Sequence, residues 1–342
     1  MKKFGILTLL LLGTGILFAQ YEGPGQYLDA IGENYKNIQK EMWDYTSAAA
    51  HGKNARTVDK KRVKLIQTTK EAKSKVRSMK GYEGNTAYRD SVVSFLNIYY
   101  LVLTQDYAKI VDMEDIAEQS YDLMEAYMLA KEEANNKLTE ASEMLIAEQK
   151  KFAEQFDVEL VTTEDELSEK MRVADEVYDY YNKLYLIFFK SYVSDIYLSD
   201  AIAKGDVSAI EQNKSALSMA SADGLSKLKS VEPFKGDNSL VAACQDILKF
   251  YQDEADNQVD KITNYLIKTE NFNTIKASFD QKKEKDRTQE DIDQYNNAVK
   301  EANEAAQTYN STNQTIFENR KSKIAAWNEA VQSFTDKHVP KK

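Results

Sequence analysis

Two histidines and one cysteine are the residues of this 342-residue chain with the clearest chemical potential. In helical bundles a Glu-x-x-His pair projects two metal ligands from one face of a helix. Here Ala48 stands three positions before His51, and Thr335 three before His338. A single cysteine also excludes the paired Cys/His spacing of a zinc site. We therefore predict no metal-binding residues and no cofactor.

The lone cysteine, Cys244, rules out a disulfide within the chain. It occupies the position of Val92 when the chain is aligned with itself as described below, and Val92 belongs to an apolar helix face. This favours a buried structural thiol over a reactive one. A cysteine–histidine pair for nucleophilic catalysis stays open, because the sequence gives no distance between the two groups. We predict no catalytic residues.

Acidic residues outnumber basic ones, 55 to 45, which gives a net charge of −10. An acidic surface repels phosphate backbones and anionic lipid headgroups, so nucleic acid and membrane surfaces are not expected partners. Acidic residues are dense around 114–133, where helical spacing is typical of a solvated face. A divalent-cation role for those carboxylates is the alternative.

The segment 177–197 is apolar around almost its whole circumference, which is typical of a helix that is buried or that contacts a partner. It is not predicted to span a membrane, because Asp179, Lys183, Lys190 and Asp195 interrupt it. One interpretation makes it a central packed helix. The other makes it a groove for a partner, or for an apolar or aromatic small ligand or a lipid, formed by an aromatic set: Tyr178, Tyr181, Tyr185, Phe188, Phe189 and Tyr192.

The first 19 residues have the three-part layout of a secretory signal peptide. Lys2 and Lys3 precede an apolar run from Phe4 to Phe18, and Ala19 supplies a small residue at the predicted cleavage site. The run is shorter than the ~20 residues that a membrane span needs. The sequence therefore predicts an exported protein, in the periplasm or at the cell surface, with no transmembrane span after signal removal.

Segments 74–99 and 226–251 are similar over 26 residues without a gap, at an offset of 152. Internal repeats fix the architecture, so this similarity predicts two copies of one small fold. Both copies contain a turn of the same type, Tyr82-Glu83-Gly84-Asn85 and Phe234-Lys235-Gly236-Asp237. We expect the glycine to adopt a positive φ and the Asn or Asp to cap the helix that follows.

Apolar residues recur every three or four positions between the glycine and proline breaks, which indicates an all-α protein. We predict two tandem elongated four-helix bundles, 20–160 and 161–342, after the signal peptide 1–19. The similarity resumes at 135–156 and 313–334 with an offset of 178, so about 26 residues around 268–293 are extra in the second copy and should lengthen two of its helices. The predicted helices are 26–51, 57–80, 86–111, 112–156, 164–203, 207–231, 239–280 and 289–337.

This layout resembles an uncharacterised family of exported helical surface proteins of Gram-negative bacteria. The resemblance rests on the Phe18-Ala19-Gln20 junction, on Gly52 and Gly205, and on the Gly84 and Gly236 turns. It implies location and fold, and no activity. We therefore expect a non-enzymatic envelope or surface protein that binds or scaffolds an unknown envelope protein. The alternative is a carrier of an apolar or aromatic ligand on the 177–197 helix.

Overall fold

A computed structural model describes residues 23–51, 55–160 and 166–341, and it confirms the all-α prediction for this part of the chain. Two five-residue π-helical turns, π1 (Val102–Asp106) and π2 (Glu254–Gln258), join α3 to α4 and α8 to α9 without a break. The α-helices are α1 (Pro24–Ala50), α2 (Ala55–Ser78), α3 (Ala87–Leu101), α4 (Tyr107–Ala117), α5 (Tyr121–Gln155), α6 (Glu166–Lys204), α7 (Val207–Leu228), α8 (Ser239–Asp253), α9 (Val259–Gln281) and α10 (Gln289–His338).

One predicted boundary is wrong. The sequence placed a break near residue 111, whereas the helix continues to Ala117 and α5 begins at Tyr121. Ser120 is the N-cap of α5, and its hydroxyl accepts a hydrogen bond from the Leu123 amide at 3.2 Å. The Asp206 carboxylate does the same for the Ala209 amide at 3.0 Å, and this cap places the start of α7 at the predicted residue 207. The predicted signal peptide 1–19 and the first two residues of the predicted helix 164–203 lie outside the described residues.

The two matched turns have the conformation that their sequences predict. Gly84 and Gly236 have φ angles of +83° and +84°. Oδ1 of Asn85 accepts a hydrogen bond from the Ala87 amide at 2.8 Å, and Oδ1 of Asp237 does the same for the Ser239 amide at 2.9 Å. Each of these side chains thus binds the first amide of the helix from one residue before the N-cap, which makes no side-chain cap bond itself.

A substitution in these turns has a purely local expected effect. A Cβ added at Gly84 or Gly236 meets no atom within 4 Å, so alanine changes only the backbone preference. We expect Gly84→Ala and Gly236→Ala each to lower the free energy of unfolding by about 1 kcal/mol, because an L-residue at positive φ costs roughly this amount. Gly32→Ala, at an open position inside α1, should instead raise it by up to about 1 kcal/mol. Urea denaturation measures all three. A Gly84→Ala or Gly236→Ala protein as stable as wild type would contradict the positive φ angles of these glycines.

Helix boundaries in the two halves of the chain coincide at the offset found in the sequence. Adding 152 to the first residues of α2, α3, π1 and α4 gives the first residues of α7, α8, π2 and α9. The ends of α3 and π1 match in the same way. π-helical turns are rare, accounting for well under 1% of residues in globular proteins, so their occurrence at equivalent positions is informative.

The segment predicted to be extra in the second half does lengthen two helices. Ala117, the last residue of α4, corresponds to Thr269 at the offset of 152, yet α9 continues to Gln281. Tyr121, the first residue of α5, corresponds to Val299 at the offset of 178, yet α10 already begins at Gln289. The added turns, at 1.5 Å per residue, extend this hairpin by roughly 15–20 Å. The residues between the two helices are 282–288, and all of them except the half-buried Arg287 are exposed, so the hairpin ends in a solvated tip.

The chain forms two compact units. The first contains the described residues up to Asn182 together with those after Val331, and the second is Lys183–Val331. The boundaries therefore fall inside α6 and α10, whereas the sequence predicted a division at 160/161. The core of the first unit includes Ile31, Met42, Leu65, Tyr99 and Leu138, and that of the second includes Phe189, Leu217, Cys244, Tyr251 and Trp327.

Candidate functional site

The aromatic set predicted as a ligand or partner surface lies mostly inside the protein. Tyr181, Tyr185, Phe188 and Phe189 are buried, with 8%, 2%, 4% and 0% of their surface exposed. Tyr178 and Tyr192 are half-buried. These positions correspond to a packed helix, the first of the two interpretations open from the sequence.

In the second unit these rings pack on one another and on α10. The ring centroids of Phe188 and Trp327 are 4.7 Å apart with nearly parallel planes, and those of Tyr185 and Phe189 are 5.4 Å apart. Tyr192 stacks on Phe188 at 5.5 Å. Such pairs contribute about 0.5–1.5 kcal/mol each beyond the burial of their area. The ring faces engaged in these contacts are not open to a ligand.

A buried charged cluster in the second unit is the candidate that sequence reasoning missed. It consists of Asp195 on α6, Glu254 at the start of π2 and Arg320 on α10. The Arg320 guanidinium donates to both carboxylate oxygens of Glu254, with Nε at 3.2 Å from Oε2. Arg320 Nη2 also lies 2.7 Å from Asp195 Oδ1, although that oxygen has no aligned hydrogen-bond donor. One cation therefore serves two carboxyl groups. We call these three residues the Asp–Glu–Arg cluster.

Burial governs the protonation of the Asp–Glu–Arg cluster. Asp195 is 4% exposed and Glu254 is not exposed at all. Loss of solvation raises the pKa of Glu254 above its usual range, and the charge of Asp195 raises it further, against the opposing pull of Arg320. Burial likewise raises the pKa of Asp195, and the charge of Arg320 acts in the other direction. Of the two carboxyl groups, Glu254 is the one whose pKa is raised further, because the charge of Asp195 adds to the effect of burial.

Tyrosines complete the surroundings of the Asp–Glu–Arg cluster. Tyr251 is fully buried one turn before Glu254 on the same helical path, and its hydroxyl has no hydrogen-bond partner in the described structure. The pKa of Tyr251 is raised by burial first and then by the charges of Asp195 and Glu254. The electrostatic interaction with Tyr192, on α6, also raises the pKa of Tyr251. An interior this closed gives the carboxyl groups no contact with a substrate in the described conformation.

The first half of the chain has no such cluster at the equivalent positions. Val102 stands where the second half has Glu254, and Ser142 stands where it has Arg320, at offsets of 152 and 178. Met42 corresponds to Asp195 at the Gly52/Gly205 offset of 153. Val102 and Met42 are fully buried. The sequence therefore held a signal of the cluster, because Asp195 and Glu254 stand at positions where the first half of the chain has the apolar side chains of Met42 and Val102.

The histidine and cysteine considered at the outset do not form a catalytic pair. His51 Nδ1 lies 3.0 Å from Asp336 Oδ1 and Nε2 lies 3.3 Å from the Pro340 carbonyl, so both ring nitrogens already have partners. Cys244 is buried, which confirms the prediction of a structural thiol. Burial raises the pKa of the Cys244 thiol to about 12, and this keeps it protonated and unreactive.

Within the described ranges, no set of three or more His, Cys, Asp or Glu side chains is placed to hold a metal ion. Across the same part of the chain, the helices contain no stretch apolar and long enough to cross a membrane. Comparison of the chain with protein-family models, with curated proteins and with solved structures finds no match.

Proposed function

We propose that this protein is an exported, non-enzymatic helical protein of the cell envelope that acts by binding or scaffolding another envelope component. The signal-like residues 1–19 support export to the periplasm or the cell surface. The observation that carries the binding role is the helical hairpin formed by the C-terminal part of α9 and the N-terminal part of α10. We call residues 264–310 the hairpin arm.

The hairpin arm closes its own apolar seam. The rings of Tyr265 and Tyr309 stack at 4.4 Å, and those of Phe279 and Tyr295 stack at 4.6 Å. Ion pairs flank the seam, with Lys268 Nζ 2.6 Å from Glu301 and Lys282 Nζ 2.6 Å from Asp291. Two helices with a closed seam need no third helix to cover them, so their outer faces remain available to a partner.

The outer faces of the hairpin arm are exposed and largely polar, and they include two exposed isoleucines. Ile267 is 49% exposed and Ile292 is 37% exposed. Polar helical surfaces with scattered apolar residues are compatible with a reversible protein–protein contact, because such interfaces are about as apolar as ordinary protein surface. A protein of the envelope is the partner class that this surface and the predicted export favour.

We further propose that the chain is a tandem duplication of one four-helix bundle, lengthened in the second copy. The coincident boundaries of α2–α4 and α7–α9, the two π-turns and the two capped glycine turns support this. On this proposal residues 270–298 of the hairpin arm are an addition to a fold that is complete without them. That makes the hairpin arm the part of the molecule most suited to a dedicated role.

Shortening the hairpin arm to the length of its counterpart tests the binding role. Residues 270–298 are replaced by the three-residue turn that joins α4 to α5, Glu118-Gln119-Ser120. We expect the variant to fold, with an unchanged circular dichroism signal per residue, and to lose at least tenfold in recovery of envelope proteins crosslinked to the mature chain. A photo-reactive residue at Asn296, on the arm, and one at Glu143, on α5, provide a matched pair of sites; both are exposed.

Crosslinks from the Asn296 site in the full-length protein, and none from the Glu143 site, are the supporting result. Equal recovery of partners by the full and shortened proteins would overturn the role of the arm. Turnover of a substrate by the purified protein, lost on a single polar substitution, would overturn the non-enzymatic assignment.

A carrier role on the 177–197 helix has less support, because the buried rings of that helix are already in contact with protein. It would require Phe188 and Trp327 to separate and admit a ligand. Native mass spectrometry of the protein purified from its envelope tests this directly, since a carrier would retain a lipid or aromatic molecule.

A further inference from the structure

The Asp–Glu–Arg cluster has a charge imbalance that its position makes costly. Two carboxylates and one guanidinium sum to −1 when all are ionised, and Glu254 has no contact with solvent. An uncompensated charge in a protein interior is strongly unfavourable. One proton on either Asp195 or Glu254 makes the cluster neutral, and the single Arg320 guanidinium lies against both carboxyl groups.

We propose that this cluster is a proton-operated clasp in the second unit. With one proton held between Asp195 and Glu254, it fastens the π-turn between α8 and α9 to the second-unit parts of α6 and α10. Loss of that proton leaves a buried negative charge and loosens α10 around Arg320.

Among the groups that the described part of the chain places against the clasp, Arg320 is the cation. From α6 come Asp195 and Tyr192, from α8 Tyr251, and from α10 Arg320. α7 packs against π2, where the Ser218 hydroxyl donates to Asp256 at 2.7 Å on the exposed side. The charged residues of α7 are engaged elsewhere: Lys214 pairs with Asp260 and Glu211, and Asp223 pairs with Lys190 and Lys227.

The sign of the pH effect follows from the raised pKa of Glu254. In the pH range above the ordinary glutamate pKa of about 4.3, an unfolded chain has released this proton, whereas the folded protein retains it. Folding then takes up a proton, so the folded state is favoured at low pH and loses stability as the pH rises to the raised value. The unfolding equilibrium constant of the second unit should increase by up to about tenfold per pH unit over this range. An ordinary paired carboxylate with a lowered pKa gives the opposite slope.

The chain has one tryptophan in each unit, which allows the effect to be localised. Trp43 lies in the first unit and Trp327 in the second. Trp327 is buried seven residues after Arg320, two turns along α10. A Trp43→Phe variant therefore reports only on the part of α10 that the clasp holds, and a Trp327→Phe variant reports only on the first unit.

The experiment measures urea midpoints and acrylamide quenching of the two single-tryptophan proteins from about pH 5 to about pH 9. We expect the Trp327 midpoint to fall and its quenching to rise severalfold with pH, while Trp43 changes much less. Glu254→Gln, in the Trp43→Phe background, should flatten the Trp327 response, because glutamine stays neutral throughout. Glu318→Gln, an exposed position on α10, should leave the response unchanged.

A Trp327 response that is the same in the Glu254→Gln protein as in wild type would overturn the proposal. If the Glu254→Gln protein does not fold, Asp195→Asn provides the second test, because it also removes one of the two charges that compete for the proton. An unaltered pH slope in the Asp195→Asn protein would overturn the proposal equally.

Discussion

Replacing Arg320 by methionine is expected to lower the free energy of unfolding of the second unit by about 3–5 kcal/mol near neutral pH, the usual result of removing one partner from a buried ion pair. The substitution keeps a long, flexible side chain, so the loss comes mainly from the two carboxyl groups that remain. Glu254 would have no cation within the cluster and no water to replace it. Urea denaturation followed by Trp327 fluorescence measures the change.

The loss of stability in the Arg320→Met protein should become smaller as the pH falls. Arg320 opposes the raised pKa values of Asp195, about 6, and of Glu254, so its removal should raise both further. The Arg320→Met protein should therefore regain part of its stability as the pH falls, beginning above about pH 6. A loss that is independent of pH would mean that Arg320 acts through packing alone.

Removing the whole cluster provides the control. The triple variant Asp195→Leu, Glu254→Met, Arg320→Met should recover most of the stability lost in the single variant, because apolar replacements of similar volume often equal or exceed a buried ionic group. The first half of the chain already fills two of the equivalent positions with apolar Met42 and Val102. A triple variant no more stable than the single Arg320→Met variant would contradict the electrostatic explanation.

Trp327→Ala is expected to lower the free energy of unfolding of the second unit by about 3–5 kcal/mol, the usual range for truncating a fully buried tryptophan. Trp327 is 1% exposed, and its ring stacks on Phe188. The substitution removes this stack and leaves a cavity between α6 and α10 in the second unit. Because it also removes the fluorophore of that unit, far-ultraviolet circular dichroism during thermal or urea unfolding is the measurement.

Phe317→Ala is the matched control for Trp327→Ala. Phe317 lies on the same helix but is 63% exposed, so truncation should change the free energy of unfolding by less than about 0.5 kcal/mol. Similar losses at both positions would mean that the Phe188–Trp327 contact does not stabilise the unit.

Most helices were predictable because the apolar spacing and the glycine and proline breaks indicate the same helix boundaries along the chain. The end of α1, the cap Asp206 and the start of α10 at Gln289 all follow from local sequence signals. The break before α5 was misplaced because apolar residues continue at helical spacing on both sides of it. The local cue to this break is Ser120, whose side chain caps α5.

The π-turns were not predicted, although the sequence carries a trace of them. Buried residues at Tyr99, Leu103 and Tyr107 advance in two successive steps of four, as do Tyr251, Ala255 and Val259. Two such steps rotate an α-helical stripe away from the core, and a wider turn restores it to the same side. The pattern was read as ordinary α-helical spacing, because a step of four is also common in an α-helix.

The candidate sites show a different limit of sequence reasoning. An aromatic-rich helix such as 177–197 is compatible with both a core and a binding surface, and only its neighbours, such as Trp327, separate the two. The Asp–Glu–Arg cluster joins residues 195, 254 and 320, whose proximity depends on how three helices pack. Comparison of the two copies would have revealed the unusual charges, but not that they meet.

The π-turns at equivalent positions in the two halves indicate the order of changes in the duplication that we propose. An irregularity at the same place in both halves was present in the ancestral single bundle, since two independent origins at one position are improbable for so rare a conformation. The lengthened hairpin and the buried ionic residues occur in only one half, and are most simply later acquisitions. On this history the first half preserves the plain scaffold, and the specialisation of the molecule followed the duplication and is confined to its second half.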